Sequence, residues 1–126
     1  GSFAYRFKQA GKTFIFATDA EFTGEVLETT ESKTSFFDDA DLLVLDSQYT
    51  LDESFMKIDW GHTSYTMAVN CGIRWRVKTL VLTHHEPTYN DDKLHENFQG
   101  AIQHRNHAQS DSPEIIMATE GSVFTL

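Results

Sequence analysis

The amino-acid sequence predicts an α/β fold in which helices cover one face of a mixed β-sheet. Short apolar runs that each end at a polar residue occur at 12–18, 41–47 and 77–82, and runs of this length are typical of buried strands. Helix-like segments follow residues 62 and 90. The 126 residues suffice for one domain with a core. The predicted order of elements is therefore ββ-β-α-β-α-ββ, a layered sheet.

The first half of the chain is predicted to supply three of the strands. Residues 3–9 alternate apolar and polar side chains, as a half-buried strand does. A turn containing Gly11 joins them to the strand at 12–18 as a hairpin. The polar segment 21–35 is predicted to be a loop or a short ragged helix, and the third strand follows at 41–47.

The second half begins with a long connection at 48–61. A helix is predicted to open after it, with Thr63 or Ser64 as the N-cap. Gly72 is expected to end this helix, because glycine favours the C-terminal cap.

The strand at 77–82 must end before Pro87, which cannot continue a central strand. A longer helix is predicted to follow a cap at 90–92; its apolar face is formed by Leu94, Phe98, Ala101 and Ile102. Residues 115–118 and 123–124 are expected to form a closing β pair.

Composition and charge exclude some functions. A net charge of −9 disfavours tight binding to a bare nucleic-acid backbone, although it leaves nucleotide chemistry at a metal open. No apolar run approaches the roughly 18 residues that a membrane span needs. The N-terminal residues do not resemble a signal peptide, and the single Cys71 cannot form an internal disulfide. We therefore expect a cytoplasmic protein without a membrane partner.

Polar residues stand where three predicted strands end. Asp19 follows the second strand, Asp46 the third and His84 the fourth, and α/β sheets bind ligands at such an edge. Together with His62, Asp19 and His84 offer the carboxylate and imidazole groups that suit zinc, manganese or iron. The residues alone leave plainer roles open: a turn carboxylate for Asp19, a residue before a helix cap for His62, and a structural histidine for His84.

A series of short segments runs in order along nearly the whole chain. They are Phe3-Ala4-Tyr5-Arg6-Phe7 with Gly11-Lys12, Phe16-Ala17-Thr18-Asp19, Ala40-Asp41-Leu42-Leu43-Val44-Leu45-Asp46, Gly61-His62-Thr63-Ser64, Val77-Lys78-Thr79-Leu80-Val81-Leu82-Thr83-His84-His85-Glu86-Pro87 and Ala118-Thr119-Glu120-Gly121. The series resembles the C-terminal half of a metallo-β-lactamase-fold hydrolase, nearest to the phosphodiesterase and ribonuclease Z-like branch. The resemblance implies that residues 1–126 form the C-terminal half of an αββα sandwich.

The resemblance also assigns roles to the candidate residues. It implies that Asp19 bridges two metal ions, which we expect to be zinc, with manganese or iron as alternatives. It implies that His84 is a terminal ligand of one ion. His62 would hydrogen-bond the phosphate or protonate the leaving oxygen, a task suited to a group that titrates near neutrality. Asp46 would orient His62 or a ligand.

The chain departs from the family's pattern in its ligands. The H-x-H-x-D-H segment, which supplies most of the family's metal ligands, would lie N-terminal to the residues present here. His85 and Glu86 are expected at the rim of the site, where they support ligands or structure. His95, His104 and His107 fall on the late helix, and the last two are expected to be solvated.

These departures shape the predicted function. A half-sandwich leaves one sheet face uncovered, and a missing N-terminal half or a second copy of the chain is expected to cover it. We expect part of a metal-dependent hydrolase that cleaves phosphodiesters or nucleotides with a metal-bound hydroxide, inactive as an isolated chain. The alternative is a non-catalytic binding or sensing module that retains the half-fold.

Overall fold

The computed structural model of the chain describes residues 1–24 and 36–126. The elements are the strands β1 (Tyr5–Gln9), β2 (Lys12–Ala17), β3 (Leu42–Asp46), β4 (Thr79–Thr83) and β5 (Glu114–Met117), and the helices α1 (Leu51–Met56), α2 (Tyr65–Arg74) and α3 (Asp91–His107). Most of the segment predicted as a loop or short helix at 21–35 lies outside the described residues. Within the described part, no helix is long and apolar enough to cross a membrane.

The five strands form one mixed sheet in the order β1-β2-β3-β4-β5. β1 and β2 pair antiparallel as the predicted hairpin, and the remaining neighbours pair parallel. One row across the parallel strands joins Ile15, Leu43, Leu80 and Ile115 by direct register. All four side chains are buried, because they share the face of the sheet that carries the helices.

The helices and the core lie on one face of the sheet. α2 turns Ala68, Val69 and Cys71 into the core against β3 and β4. Just beyond α2, the ring of Trp75 stacks on that of Phe37 with centroids 4.3 Å apart. This arrangement confirms the predicted α/β class.

The opposite face of the sheet stays largely open along β1 and β2. Tyr5 and Phe7 are each 54% exposed, and Phe16 is 40% exposed. The rings of Tyr5, Phe7 and Phe14 stack in a row across this face. Large apolar side chains are therefore in contact with solvent on the face opposite the helices. We call this surface, formed by Tyr5, Phe7, Phe14 and Phe16, the open face.

Two helix predictions were wrong. The helix that follows Ser64, its N-cap, does not end at Gly72 but continues to Arg74. A Cβ at Gly72 would lie 2.9 Å from Pro113 Cγ, so this glycine permits close packing instead of ending the helix. The segment 48–61 is not a plain connection, because it contains α1, which begins with a capping box between Thr50 and Glu53.

Two further expectations also differ from the structure. The end of the chain holds one strand, β5, parallel to β4, and the described residues 118–126 form no second strand beside it. His104 is not simply solvated: its Nε2 lies 2.7 Å from Asn70 Oδ1, between α3 and α2. Burial is the main reason that the pKa of His104 is lowered, followed by the nearby charge of His107.

Candidate metal centre

The ends of three parallel strands meet at one edge of the sheet. Asp19 lies two residues beyond β2, Asp46 is the last residue of β3, and His84 comes directly after β4. Because the three strands run in the same direction and in register, their carboxyl ends are adjacent. His62 reaches the same edge from the loop before α2, which a parallel bridge between Tyr49 and Ser64 fixes in place.

Asp19, His62 and His84 form a compact cluster. Each offers one possible ligand atom, and these atoms all lie within 4.8 Å of one another. His84 Nε2 is 3.6 Å from Asp19 Oδ1, and the imidazole rings of His62 and His84 stack with centroids 4.8 Å apart. The structure thus brings together three residues that are far apart in the sequence.

The buried carboxylate of Asp46 organises this cluster. Its Oδ2 accepts a hydrogen bond from the backbone N–H of Asp19 at 2.9 Å and lies 2.8 Å from His62 Nδ1. Its Oδ1 accepts from the backbone N–H groups of Thr63 at 3.2 Å and Gln48 at 3.3 Å. Since a carboxylate only accepts, the His62 proton belongs on Nδ1. Nε2 of the neutral His62 ring then carries a lone pair and no proton.

Two residues of the cluster have a left-handed backbone. The φ angle is 53° at Asp19 and 62° at His84, in a region that residues other than glycine seldom adopt. Such conformations cost about 1–3 kcal/mol and persist where the surrounding structure enforces them. Here the bond from Asp19 N–H to Asp46 is one such restraint. The backbone therefore turns sharply after β2 and after β4, where Asp19 and His84 lie.

His85 and Glu86 lie beside the cluster and contact other groups. His85 bonds to the backbone of Ala118, and burial, followed by the charge of His84, lowers the pKa of His85. Its Nε2 is buried without a hydrogen-bond partner among the described residues. Glu86 Oε2 lies 3.6 Å from Lys57 Nζ, so Glu86 connects the loop after β4 to the end of α1.

Sequence reasoning missed the contacts of Glu21 and Thr63 that fix the loop around His62. Glu21 accepts hydrogen bonds from the backbone N–H groups of Asp59 at 3.0 Å and Gly61 at 3.1 Å. Thr63 Oγ1 accepts from Phe22 N–H at 2.9 Å. The sequence shows an acid, Glu21, shortly after Asp19 and a glycine, Gly61, directly before His62. It does not show that these two residues are hydrogen-bonded to each other.

The donor set fits a divalent transition metal. One carboxylate and two imidazoles are ligands that zinc, manganese and iron accept. Within residues 1–24 and 36–126, this is the only group of three or more such side chains close enough to share an ion. Tetrahedral or higher coordination needs further donors from outside this group.

Comparisons with known proteins support a metallo-β-lactamase fold. No family model matches the chain. It is 32% identical to the ribonuclease Z of Prochlorococcus marinus (strain NATL1A) over 79 residues, which are 63% of this chain and 23% of that protein. It is 28% identical to the ribonuclease Z of Synechocystis sp. over 81 residues, 64% of this chain and 23% of that protein. The chain thus spans about a quarter of the length of these relatives.

The structure is similar to the crystal structure of the metallo-β-lactamase fold protein YhfI from Bacillus subtilis. The match has a TM-score of 0.67 and 19% identity, and it covers 97% of this chain and 43% of that chain. The chain therefore has a metallo-β-lactamase fold and a ribonuclease Z-like sequence, which confirms the resemblance predicted from its motifs.

Proposed function

We propose that the chain supplies the C-terminal half of a metal-dependent hydrolase that cleaves phosphodiesters. The observation that carries this proposal is the convergence of Asp19, His62 and His84 within 4.8 Å at the edge of the sheet. Asp19 and His84 would hold divalent ions, which we expect to be two zinc ions, with manganese or iron as alternatives. When bound, the ions would supply Lewis acidity and a water acidic enough to act as a nucleophile at neutral pH.

His62 is the residue that the geometry prepares for proton transfer. Nδ1 lies against Asp46, so Nε2 is the nitrogen that would act on a substrate. As the imidazolium, with a second proton on Nε2, His62 can donate a hydrogen bond to a phosphate oxygen or a proton to the leaving oxygen. Asp46 acts only through His62 and the backbone of Asp19 and is a positioning residue.

Metal binding by the isolated chain tests this proposal. We expect weak zinc or manganese binding in titration calorimetry, since the two proposed ligands, Asp19 and His84, leave an ion mostly hydrated. Asp19→Ala and His84→Ala should abolish it, and His107→Ala, at an exposed position on α3, should not. Unchanged metal content in Asp19→Ala would favour the binding or sensing module instead. The chain alone should not turn over a generic phosphodiester, and robust turnover would contradict the incomplete site.

The open face supports a further part of the proposal, a covering partner. With Tyr5 and Phe7 each 54% exposed, we expect a missing N-terminal half, or else a second copy of the chain, to bury this surface. Light scattering after gel filtration should show self-association that Phe7→Lys weakens. Met56→Lys, at a still more exposed site on α1, is the control. A monomer at every concentration, with either variant unchanged, would exclude the second copy.

The expected location is a reducing cytosol. Cys71 is the single cysteine of the chain, and it is buried on α2. Burial raises the pKa of its thiol, so Cys71 remains an inert part of the core.

A further inference from the structure

An apolar cleft lies beside His62, between α1 and the start of α2. Its volume is about 200 Å³, and its lining includes Phe22, Leu51, Phe55, Ile58, His62 and Met67. An apolar cavity of roughly 150 Å³ is enough to bind benzene. We propose that this cleft is a subsite for the aromatic alcohol that leaves when a small phosphodiester is cleaved; the inference rests on the proposed function.

The position of the cleft matches the step assigned to His62. The His62 ring belongs both to its wall and to the candidate metal cluster. A phosphodiester held at the cluster would therefore extend one of its two alcohol groups past His62 into the cleft. That is the group whose oxygen His62 would protonate as it leaves.

The wall formed by α1 is firmly attached to the site. The capping box of Thr50 and Glu53 fixes the start of the helix, and Tyr89 donates a hydrogen bond to Glu53. At the other end, Lys57 pairs with Glu86 in the loop after His84. A cleft joined in this way to the loop of a proposed ligand can position a substrate group relative to the metal.

The apolar side chains of α1 and its following turn are unusually exposed. Phe55 is 66% exposed, Ile58 57% and Leu51 41%. Exposed apolar surface grouped around a concave site is typical of a ligand-binding groove. A flat ring placed between these side chains would remove them from water.

The charges around the cleft favour a small ligand over a long polyanion. Glu21 lines the cleft, Asp19 belongs to the adjacent cluster, and the chain carries a net charge of −9. Lys57, a cation at the end of α1, is paired with Glu86 and lies 4.1 Å from the Tyr49 ring centroid. Binding of a nucleic-acid backbone needs clustered free cations. An uncharged aromatic group needs no such cations to bind.

The subsite is tested by binding of 4-fluorophenol, a neutral aromatic alcohol, to the metal-free chain, followed by fluorine NMR. We expect a saturable shift. Phe55→Ala should weaken binding about threefold to tenfold, the loss typical of one aromatic contact, and Ser54→Leu should abolish it by filling the cleft. Met56→Ala is the matched control, because Met56 is on the same helix, 78% exposed, and not part of the lining.

Three results would overturn the inference. They are a linear, non-saturable response of the wild-type chain, an equal loss in Met56→Ala and Phe55→Ala, and displacement of 4-fluorophenol by a short RNA oligonucleotide that binds more tightly. Circular dichroism verifies that each variant is folded. Zinc binding should be equal in Phe55→Ala and the wild type. If zinc fails to bind either protein while 4-fluorophenol binds, the proposed metal site fails and the cleft stands.

Discussion

Replacing Asp46 by asparagine changes one buried carboxylate oxygen into an NH2 group and almost preserves the shape of the side chain. Four donors converge on this carboxylate: the backbone N–H groups of Asp19, Gln48 and Thr63, and Nδ1 of His62. An amide offers one accepting oxygen in place of two. Whichever way it turns, its NH2 group faces two former donors.

The best arrangement places the NH2 group beside His62, which can accept at Nδ1 if its proton moves to Nε2. The backbone N–H of Asp19 then loses its acceptor. A buried donor without a partner costs about 1–3 kcal/mol, and hydrogen bonds to a charged group are worth about 1 kcal/mol more than neutral ones. We therefore expect Asp46→Asn to lower the free energy of unfolding by about 2–4 kcal/mol.

Urea unfolding at pH 7 measures this loss, and nitrogen NMR of the His62 ring reports the change of tautomer. Asp39→Asn is the matched control, because Asp39 is an exposed carboxylate paired with Arg76 and should lose little. A loss in Asp46→Asn no larger than that of the control would refute the reasoning. So would a His62 proton that stays on Nδ1.

Two other predictions concern packing and pH. Gly72→Ala should lower the free energy of unfolding by about 1–3 kcal/mol because its Cβ would meet Pro113. Gly100→Ala should be nearly neutral, since the end of the Tyr65 side chain can move aside and alanine favours a helix. Equal losses of the two variants in urea unfolding would contradict this prediction. Burial lowers the pKa of His104 below its ordinary 6.5. As the pH falls through 6.5, the unfolded chain therefore binds more protons than the folded chain, and the free energy of unfolding decreases toward acidic pH. His104→Gln should reduce the loss of stability between neutral and acidic pH, and an unchanged pH dependence in urea unfolding would exclude this role.

The strands could be predicted because burial on both faces leaves a simple pattern. Leu80, Val81 and Leu82 are all apolar, as the interior strand β4 requires. The partners of a strand leave no such pattern. β5 pairs with β4 through the register of Ile115 with Leu80, across the whole of α3. Periodicity along the chain carries no information on a contact of that range.

The candidate site, like the sheet, could be predicted from the sequence only in part. Asp19 and His84 were identifiable because each follows a predicted strand and parallel strands end together. The three backbone hydrogen bonds at Asp46 were not, since their donors are N–H groups whose identity does not depend on side chains. Gly72 was misread for a related reason: a glycine required by a neighbour, Pro113, looks the same in sequence as one that ends a helix.

The left-handed backbone at Asp19 and His84 lowers the stability of the fold at the two positions that carry the candidate ligand groups. Glycine adopts this conformation freely, so exchanging His84 for glycine removes a conformational penalty of about 1–3 kcal/mol together with the imidazole. Mutants chosen only for resistance to heat should accordingly drift toward glycine at these turns and lose the carboxylate and imidazole that we propose as metal ligands.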